Sequence, residues 1–516
     1  MSNTSDSTAL NYEAAPNAQR LLWAGFVAIL AAGVGFSVRG ASVLGAWSDS
    51  FGFTQTELGG ITGGGLIGFG IVIIISSFLA EAVGYARLMY LAFAVHFLSA
   101  VVTLAAPAVF DAAGKDATFW TLFIGMFLFA IGNGICEAVV NPLTATLFPN
   151  NKTHYLNILH AGWPAGLILG GVAAIFMADS VSWQVQISLF LVPVIIYGIM
   201  IFGQEMPKTD AAAAGVSVGE ILTQLAAPLL LFLLIVHAMV GYVELGTDSW
   251  ISRITGSILD ETTGRWLFVY TSALMFILRF VAGPIVHKIS PLGLLLASAI
   301  LATIGLYTLG GVGTTAAAIV ALTIYGLGKT FFWPTMLAVV SERFPKGGAV
   351  TLGMVGGVGM LSAGFLGGPG IGFKQDKYAS AKLEELSTET FDRYKAGKEN
   401  SFLVFKTNGL DGAKVGVLED GGEKLGKEME ILAENDGTDE NLSKLSAWWD
   451  EAQGSADSDK EPVKEATLYG SRMALKLTAI VPAVMAVCYL LLMLYFKSIG
   501  GYKALTVEEQ EAAASS

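Results

Sequence analysis

The sequence predicts an all-α integral membrane protein with twelve transmembrane helices in two pseudo-symmetric halves of six. Of the 516 residues, 53% are hydrophobic and only 14% are charged, and the mean hydropathy is +0.61. The apolar residues are gathered into runs long enough to cross a bilayer as helices, which takes about 20 residues. A polar stretch at residues 204–220 separates two groups of six runs.

The twelve apolar runs are numbered here as spans in chain order. They cover residues 21–46, 60–80, 86–107, 118–147, 155–177, 182–203, 224–250, 265–287, 291–311, 314–340, 349–372 and 473–496. The chain then divides into a cytoplasmic tail (1–20), a first half (21–203), a cytoplasmic linker (204–220), helices 7–11 of the second half (221–373), an acidic extracytoplasmic insertion (374–468), helix 12 (469–497) and a cytoplasmic tail (498–516).

Composition also excludes several classes of protein. The polar N-terminus lacks the short apolar core of a cleaved signal peptide, so we expect the first span to act as the insertion signal. Cys136 and Cys488 both lie in apolar runs, which argues against a disulfide framework. The net charge of −12 excludes a nucleic-acid partner of the usual basic kind. We expect no cofactor and no metal.

Orientation follows from the cations near the span ends, because cytoplasmic loops carry an excess of Lys and Arg. With the N-terminus inside, the cytoplasmic side receives most of them, and the outer loops are acidic or mixed. We therefore expect both termini in the cytoplasm and the chain in the plasma membrane, or in the inner membrane if the source is a bacterium. The cytoplasmic cations are Arg20, Arg87, Lys152, Lys208, Lys288, Arg343, Lys346, Lys497 and Lys503.

The insertion between spans 11 and 12 is the only long hydrophilic segment. Between residues 374 and 465 it holds 13 Lys and Arg against 22 Asp and Glu, a net charge of −9. We expect a solvated, partly ordered loop, and a small cap touching the outer mouth is the alternative. Within it, Ser401–Phe405 is typical of a strand, and Leu442–Ala452 of an amphipathic helix.

The fourth span carries the most informative polar residues. Glu137, Asn141 and Thr144 are spaced i, i+4, i+7, so one helical face presents all three. Pro142 lacks an N–H and loosens the helix beside the acid. A charge near the centre of a membrane helix costs about 2.5–3.5 kcal/mol on insertion scales and usually faces a cavity, a partner or an ion. This face is therefore a candidate cation-coupling site, and a structural ion pair is the alternative.

Other charges fall inside the spans at matching places of the two halves. Four of these charges lie in the first helix of successive groups of three: Arg39, Glu137, Glu244 and Lys329. Arg279, in span 8, is the exception. The simplest expected pairs join Glu137 to Lys329 or to Arg39, and a purely structural quartet is the alternative. In span 7 we expect Glu244 at a cavity and Asp248 at the membrane interface.

Two tryptophans lie in similar surroundings in spans 5 and 10. His160 and Trp163 precede Pro164, and Trp333 follows Lys329 by one turn and precedes Pro334. Aromatic rings can stack on a sugar while polar groups bind its hydroxyls, and packing in the bilayer is the alternative. The predicted substrate-binding residues are Arg39, His160, Trp163, Glu244, Lys329 and Trp333.

The two halves also resemble each other in one short turn. The turn between spans 2 and 3 and that between spans 8 and 9 each contain glycine and a cation, which hints at the internal duplication common in secondary transporters. We expect both to be gating loops. Their residues are Glu81, Gly84 and Arg87 in the first half, and Gly283, His287 and Lys288 in the second.

With these residues the chain resembles the major facilitator superfamily. Glu81 stands where the loop motif G-x-x-x-D-R-x-G-R has Asp, and Ala82 stands where it has Arg. Within that superfamily, the run from Glu137 to Pro142, followed by the run from Tyr155 to His160, resembles the fucose–galactose–glucose–proton symporters, with their E-x-x-x-N-P and L-N-x-x-[QH]. The resemblance implies that Glu137 takes part in proton coupling and sugar binding.

Departures from the family pattern bear on substrate and direction. The acid that the fucose transporter carries in span 1 aligns near Ala41, where this chain has none, and Arg39 nearby changes the local charge. This disfavours fucose itself. Leu167 replaces the proline of the span 5 antiporter motif, which favours symport or uniport over antiport.

We therefore predict a monomeric secondary transporter that imports a sugar or similar small polar solute with H⁺ or Na⁺. The same residue types serve both ions. An organic-anion or drug carrier is an alternative that Arg39, Arg279 and Lys329 would suit. A transporter-derived sensor is a remote one. No zincin motif or nucleophile elbow occurs in the sequence, so we do not expect an enzyme.

Overall fold

The computed structural model describes residues 15–39, 43–51, 53, 55–62, 65–177, 180–434 and 439–515, and most of them are helical. Most of the predicted N-terminal tail and the position near Ala41 lie outside these ranges. Eleven helices of the described part are long and apolar enough to cross a membrane by length and composition.

The first half consists of helices that follow the six predicted spans. Several spans are built from two segments, and α6 is interrupted by Gly114, whose φ is 76°. The helices are α1 (Ala18–Ser37), α2 (Leu44–Phe51), α3 (Gln55–Thr62), α4 (Gly65–Val83), α5 (Tyr85–Leu104), α6 (Ala106–Leu147), α7 (Lys152–His160), α8 (Gly162–Met177), α9 (Trp183–Ser188) and α10 (Leu191–Ile201). Two short helices, α11 (Asp210–Ala213) and α12 (Val218–Gln224), follow in and just after the predicted linker.

The second half repeats this architecture and contains two π-helical segments. Its elements are α13 (Pro228–Gly241), a π-helix (Tyr242–Gly246), α14 (Thr247–Ile258), α15 (Glu261–Arg279), α16 (Ala282–Leu309), α17 (Thr315–Lys329), α18 (Phe332–Arg343), α19 (Gly348–Ser362), a second π-helix (Ala363–Gly367) and α20 (Gly368–Leu386).

The eighth predicted span is the one that is not among the eleven apolar helices. It corresponds to α15, which has 19 residues but includes Glu261, Arg265 and Arg279 and is the more polar for it. Helix α16 contains Ser290 with φ 65° just before Pro291, so the turn between the eighth and ninth spans lies inside this helix.

Small residues let the helices approach closely, as membrane interfaces require. An added Cβ at Gly166 of α8 would come within 2.3 Å of the Leu30 carbonyl oxygen of α1. Between the halves, α4 packs on α19, α8 on α15 and α7 on α18. The interface between the halves therefore runs through the centre of the bundle.

The two ends of the bundle are different. At one end, called here the terminal end, Arg20 donates to the Met200 carbonyl oxygen, and the Leu505 N–H donates to that of Glu342. The insertion lies at the other end, called here the insertion end, because α19 and α20 run away from the terminal end into it. Which end faces the cytoplasm stays a prediction.

The expectation of a solvated, partly ordered loop between spans 11 and 12 is wrong in one respect, because the described residues are mostly helical and not a loop. They form helices and one hairpin, and helix formers such as Ala, Lys and Glu carry α20 past the end of the apolar run. The elements are α21 (Thr388–Tyr394), β1 (Asn400–Phe402), β2 (Phe405–Thr407), α22 (Gly412–Asp420), α23 (Glu423–Glu434), α24 (Glu440–Ala452) and α25 (Ala456–Thr478), before α26 (Ile480–Ser498) and α27 (Val507–Ser515).

Within its described residues, the insertion has its own apolar core and a partly buried ion pair. Asp459 is fully buried and accepts two hydrogen bonds from Arg393, at 2.6 and 2.8 Å, which raise the pKa of the Arg393 guanidinium. The hairpin packs on α20, where the rings of Phe402 and Phe373 lie 5.9 Å apart. The core residues are Leu383, Phe391, Tyr394, Leu418, Val463 and Ala466.

Candidate functional site

A cavity lies between the two halves near the middle of the bundle. The cavity is narrow, with a volume of about 20 Å³, and both halves supply its walls. The first half contributes Phe69, Glu137, His160 and Trp163, and the second contributes Glu244, Leu245, Arg279, Trp333 and Met360. Five of the predicted site residues therefore meet at one place: Glu137, His160, Trp163, Glu244 and Trp333.

On the wall formed by the first half, Glu137 has only neutral partners. The Asn141 side-chain amide donates to the Glu137 carboxylate at 2.7 Å, and its oxygen lies 2.8 Å from His160 Nε2. Glu137 is 9% exposed. Among the described residues, no Lys or Arg side chain forms an ion pair with it. A buried carboxylate of this kind can change charge without breaking a salt bridge.

The third member of the predicted coupling face lies apart from the other two. Thr144 is buried, and no side-chain hydrogen bond joins it to Glu137 or Asn141 in the described part of the chain. The i, i+4 contact between Glu137 and Asn141 is thus present, whereas the i, i+7 position lies two turns along the helix.

On the wall formed by the second half, the carboxylate is paired. Arg279 Nη2 donates to Glu244 Oε1 at 2.8 Å, and both side chains are almost fully buried. Glu244 Oε2 also accepts from the Trp333 N–H at 3.2 Å. The π-helical segment that carries Glu244 is a rare local structure found often at functional sites.

The expected pairs of Glu137 with Lys329 or Arg39 are wrong. Lys329 instead forms a buried ion pair with Asp248, which is therefore not an exposed interfacial group. Spans 7 and 10 are neighbours within the second half, and that adjacency selects the partner. The sequence shows in which spans the charged residues lie, but it does not show which of them form pairs.

Arg39 is the other cation whose surroundings differ from expectation. It is 1% exposed and lies inside the first half, where it donates to Thr103 at 3.0 Å and Ser99 at 3.2 Å. Its guanidinium carbon lies 5.0 Å from the centre of the Phe129 ring. Neither Arg39 nor Lys329 contributes to the wall of the cavity described above.

Arg279 contributes more to the site than the sequence indicated. Besides Glu244, it donates to the His160 carbonyl oxygen at 2.5 Å and to the Thr330 carbonyl oxygen at 3.0 Å. Because His160 belongs to the first half, Arg279 joins the two halves directly. Its position inside a membrane span could have marked it as a site residue. It was not predicted as one because it lies in span 8, outside the placement that the other four charges share.

Trp163 and Trp333 lie on opposite walls of the cavity. The Trp163 ring lies 5.5 Å from that of Phe36, and the Trp333 ring lies 4.7 Å from that of His237. Each ring is thus held from behind by a second ring while it faces the cavity. An aromatic surface fixed in this way can bind the apolar face of a small polar solute.

The two predicted gating loops lie at the terminal end, and one of them bridges the halves. Glu81 accepts from the Thr209 hydroxyl at 2.7 Å and from the Ala349 N–H at 2.9 Å, so it caps the start of α19. Gly84 has φ 87°, which favours glycine. Gly283 lies against the His154 ring. The remaining loop residues, Arg87, His287 and Lys288, are exposed.

Further polar contacts close the terminal end between the halves. Lys152 donates to the Ser341 carbonyl oxygen at 3.2 Å, and Asn157 donates to the Thr335 hydroxyl at 3.3 Å. The hydroxyl of Thr153 lies 3.4 Å from a carboxylate oxygen of Glu342. These contacts separate the central cavity from the terminal end.

Comparisons with known proteins agree with this architecture. The family model described as Major Facilitator Superfamily matches residues 24–368. A comparison with curated protein sequences finds no match. Solved structures that are similar share 12–18% identity with the chain, a level at which the likeness concerns the fold.

Three of these structures illustrate the range. The E. coli fucose:proton symporter FucP is 17% identical, with 70% of this chain and 92% of that chain covered and a TM-score of 0.56. The proton:xylose symporter XylE with bound 6-bromo-6-deoxy-D-glucose is 13% identical, with 96% and 98% covered and a TM-score of 0.60. The human organic anion transporter MFSD10 is 12% identical, with 92% and 100% covered and a TM-score of 0.56.

The fold and the site define a multi-pass helical membrane protein whose two halves enclose a central cavity with charged and aromatic residues in its walls. The chain belongs to the Major Facilitator Superfamily, whose model matches most of its length. It is a transporter and not an enzyme.

Proposed function

We propose that the chain is a secondary active transporter that works by alternating access and couples a cation to the uptake of a sugar or similar small polar solute. One observation carries the proposal. Glu137 is a buried carboxylate with neutral partners, and it lines a cavity shared by both halves. Such a group in the membrane is costly in its charged form and marks an ion or substrate pathway.

The charges on the cavity wall favour a neutral solute. Glu244 and Arg279 balance each other, so the wall is neutral when Glu137 is protonated and carries one negative charge when it is not. An anionic solute would meet no uncompensated cation there. Trp163 and Trp333 supply apolar faces, while Glu137 and His160 supply polar groups that suit hydroxyls.

The arrangement around Glu137 favours a proton over Na⁺ as the coupling ion. A sodium site would need several oxygen atoms pointing at one point, as hard cations prefer. Here the Asn141 amide donates to Glu137 while its oxygen lies against His160, and Thr144 lies apart. Glu137 is then loaded with a proton from the insertion end, becomes neutral and admits the solute. It releases the proton at the terminal end after the halves have rocked.

The predicted orientation and gating complete this cycle. The terminal end is cytoplasmic, the chain lies in the plasma membrane as a monomer, and the contacts of Glu81 hold the cytoplasmic gate shut. The exposed residues Arg87, His287 and Lys288 contribute charge to the loops at that gate. In the proposed cycle, solute enters from the insertion end.

Uptake by purified protein in proteoliposomes tests the proposal. A panel of neutral sugars, nucleosides and carboxylates is offered with an imposed pH gradient, with a Na⁺ gradient, and with neither. We expect uphill uptake of a neutral polyhydroxylated solute driven by the pH gradient. Accumulation driven only by Na⁺ would overturn the choice of ion, and binding without accumulation would overturn transport.

An organic-anion carrier is the second candidate function. It is favoured by the Arg279 guanidinium on the cavity wall and by the similarity to the human organic anion transporter. In that case a carboxylate solute would displace Glu244 from Arg279. Uptake of carboxylates with no uptake of neutral sugars in the same panel would select this function.

A further inference from the structure

Arg279 binds two backbone carbonyl groups, one in span 5 of the first half and one in span 10 of the second, that share a local sequence pattern. In a continuous helix, the His160 carbonyl oxygen would accept from the N–H of residue 164, and that of Thr330 from residue 334. Both residues are prolines, which have no N–H. The helix is interrupted at this point in both halves, since α7 ends at His160 and α17 ends at Lys329.

The guanidinium satisfies both of these freed carbonyls at once. Arg279 Nη1 donates to the His160 carbonyl oxygen and Nε donates to that of Thr330, while Nη2 holds Glu244. The two breaks each carry a tryptophan immediately before the proline, and these are the tryptophans that line the cavity. The planar guanidinium of Arg279 therefore binds the interrupted helix of each half beside the cavity.

The two carbonyls differ in what they join. Thr330 belongs to the same half as Arg279, so that bond holds α15 to α17 within the half. His160 belongs to the other half, so its bond with Arg279 must break or change partner whenever α7 and α15 move apart. Glu137 lies on the same cavity wall and hydrogen bonds to Asn141, whose side chain contacts His160.

We propose that Arg279 is the positioning residue of the closed state, which clasps the halves through the carbonyl left free by Pro164. The inference rests on the proposed alternating access. When the clasp opens, the break between α7 and α8 is released from α15, and Trp163 leaves the position it holds opposite Trp333. The cavity then opens toward the terminal end.

Two proline substitutions form a matched test. Pro164→Ala supplies an N–H that can satisfy the His160 carbonyl in place of Arg279, and Pro334→Ala does the same for Thr330 within one half. Both changes restore a helical donor and favour helix to the same degree. Pro164→Ala is expected to loosen the contact between the halves, and Pro334→Ala is expected to leave it intact.

The role of the planar guanidinium is tested by Arg279→Lys, which keeps the charge beside Glu244 but offers no planar array of donors. We expect Arg279→Lys to behave as Pro164→Ala does. If it fails to fold, the double variant Arg279→Gln/Glu244→Gln removes both members of the ion pair and leaves neither charge uncompensated. A residue with a merely structural role would allow that double variant to regain the wild-type distribution of conformations.

Distances between spin labels at the terminal end give the readout. Labels at Asn151→Cys and Ile289→Cys, both exposed, report on one half each after Cys136 and Cys488 are replaced by serine. We expect a short distance for wild type and for Pro334→Ala, and an added longer population for Pro164→Ala and for Arg279→Lys or the double variant. Unchanged distances in Pro164→Ala, or equal changes in both proline variants, would overturn the clasp.

These distances are measured without solute or gradient, so the outcome is independent of the proposed transport cycle. If wild-type protein failed to accumulate any solute but the distances shifted as expected, the proposed function would fall and the clasp would stand. The reverse result would remove the clasp and leave the transporter.

Discussion

Each half of the protein buries one glutamate on the wall of the central cavity, and the two differ in their partners. Glu244 has Arg279 within 2.8 Å, whereas Glu137 has only the Asn141 amide. Removing the charge of the paired glutamate would leave a buried cation uncompensated, and removing that of Glu137 would not. In the transport cycle proposed above, the unpaired acid changes its charge while the paired one stays bound to Arg279.

The largest expected effect comes from Glu137→Gln, because it fixes the neutral form on the unpaired side. The glutamine oxygen can still accept from Asn141, so we expect the fold and solute binding to persist. Uphill uptake driven by a pH gradient should fall to background, whereas exchange of solute across the membrane continues. Uptake assays in proteoliposomes with and without the gradient measure both.

Thr144→Val is the matched control on the same helix face. It removes a hydroxyl that makes no side-chain hydrogen bond with Glu137 or Asn141 in the described chain. We expect full uphill uptake with unchanged dependence on the ion. A strong loss in this variant, together with Na⁺ dependence, would show that the oxygen atoms of this face bind a metal cation.

The paired side of the comparison is tested away from the cavity, at Lys329 and Asp248. Lys329→Met leaves the Asp248 carboxylate buried without its cation, and breaking such a pair costs about 3–5 kcal/mol. We expect a marked drop in thermal stability in detergent, largely restored by Lys329→Met/Asp248→Asn. Restored uptake in the double variant would confirm that this pair is structural, and its loss would place the pair in the transport cycle.

The fold could be predicted from the sequence because it depends on local quantities. Run length predicts helices, and the polar linker marks the division between halves. The spacing of Glu137 and Asn141 predicts a shared face, and the structure has them in contact. The partners of the charges could not be predicted in this way. Lys329 meets Asp248 and Arg279 meets Glu244 because of helix packing, which a single sequence does not display.

The contacts inside the insertion could not be predicted from the sequence either. Its acidic composition predicted a solvated loop, and its charges are indeed mostly exposed, yet six apolar side chains bury a small core. Arg393 and Asp459 are 66 residues apart in the chain, and their ion pair joins α21 to α25. Composition reports the surface of such a domain, and its core is set by a few residues brought together by the fold.

A smaller effect is expected from substitutions of the two cavity tryptophans. They compare how much each wall contributes to solute affinity. Trp163→Leu or Trp333→Leu should weaken solute binding by about 1–2 kcal/mol, roughly tenfold, because apolar contact area is lost. Trp23→Leu, at an exposed position, is the control and should leave the affinity unchanged. Solute-dependent thermal stabilisation measures all three. Equal loss in Trp23→Leu would mean that the ring matters for packing alone.

The smallest effect is expected at the proposed gate, where the first half reaches the second through Glu81. Glu81→Ala removes two acceptors and exposes the first N–H groups of α19, at a cost of about 1 kcal/mol for a lost helix cap. Because this contact joins the two halves at the terminal end in this structure, its loss should favour separation of the halves there by a few-fold. Glu81→Gln keeps one acceptor and should show a smaller shift. The same pair of spin labels measures the populations, and equal distributions in wild type and Glu81→Ala would show that the gate is held by Lys152 and Asn157 without help from this loop.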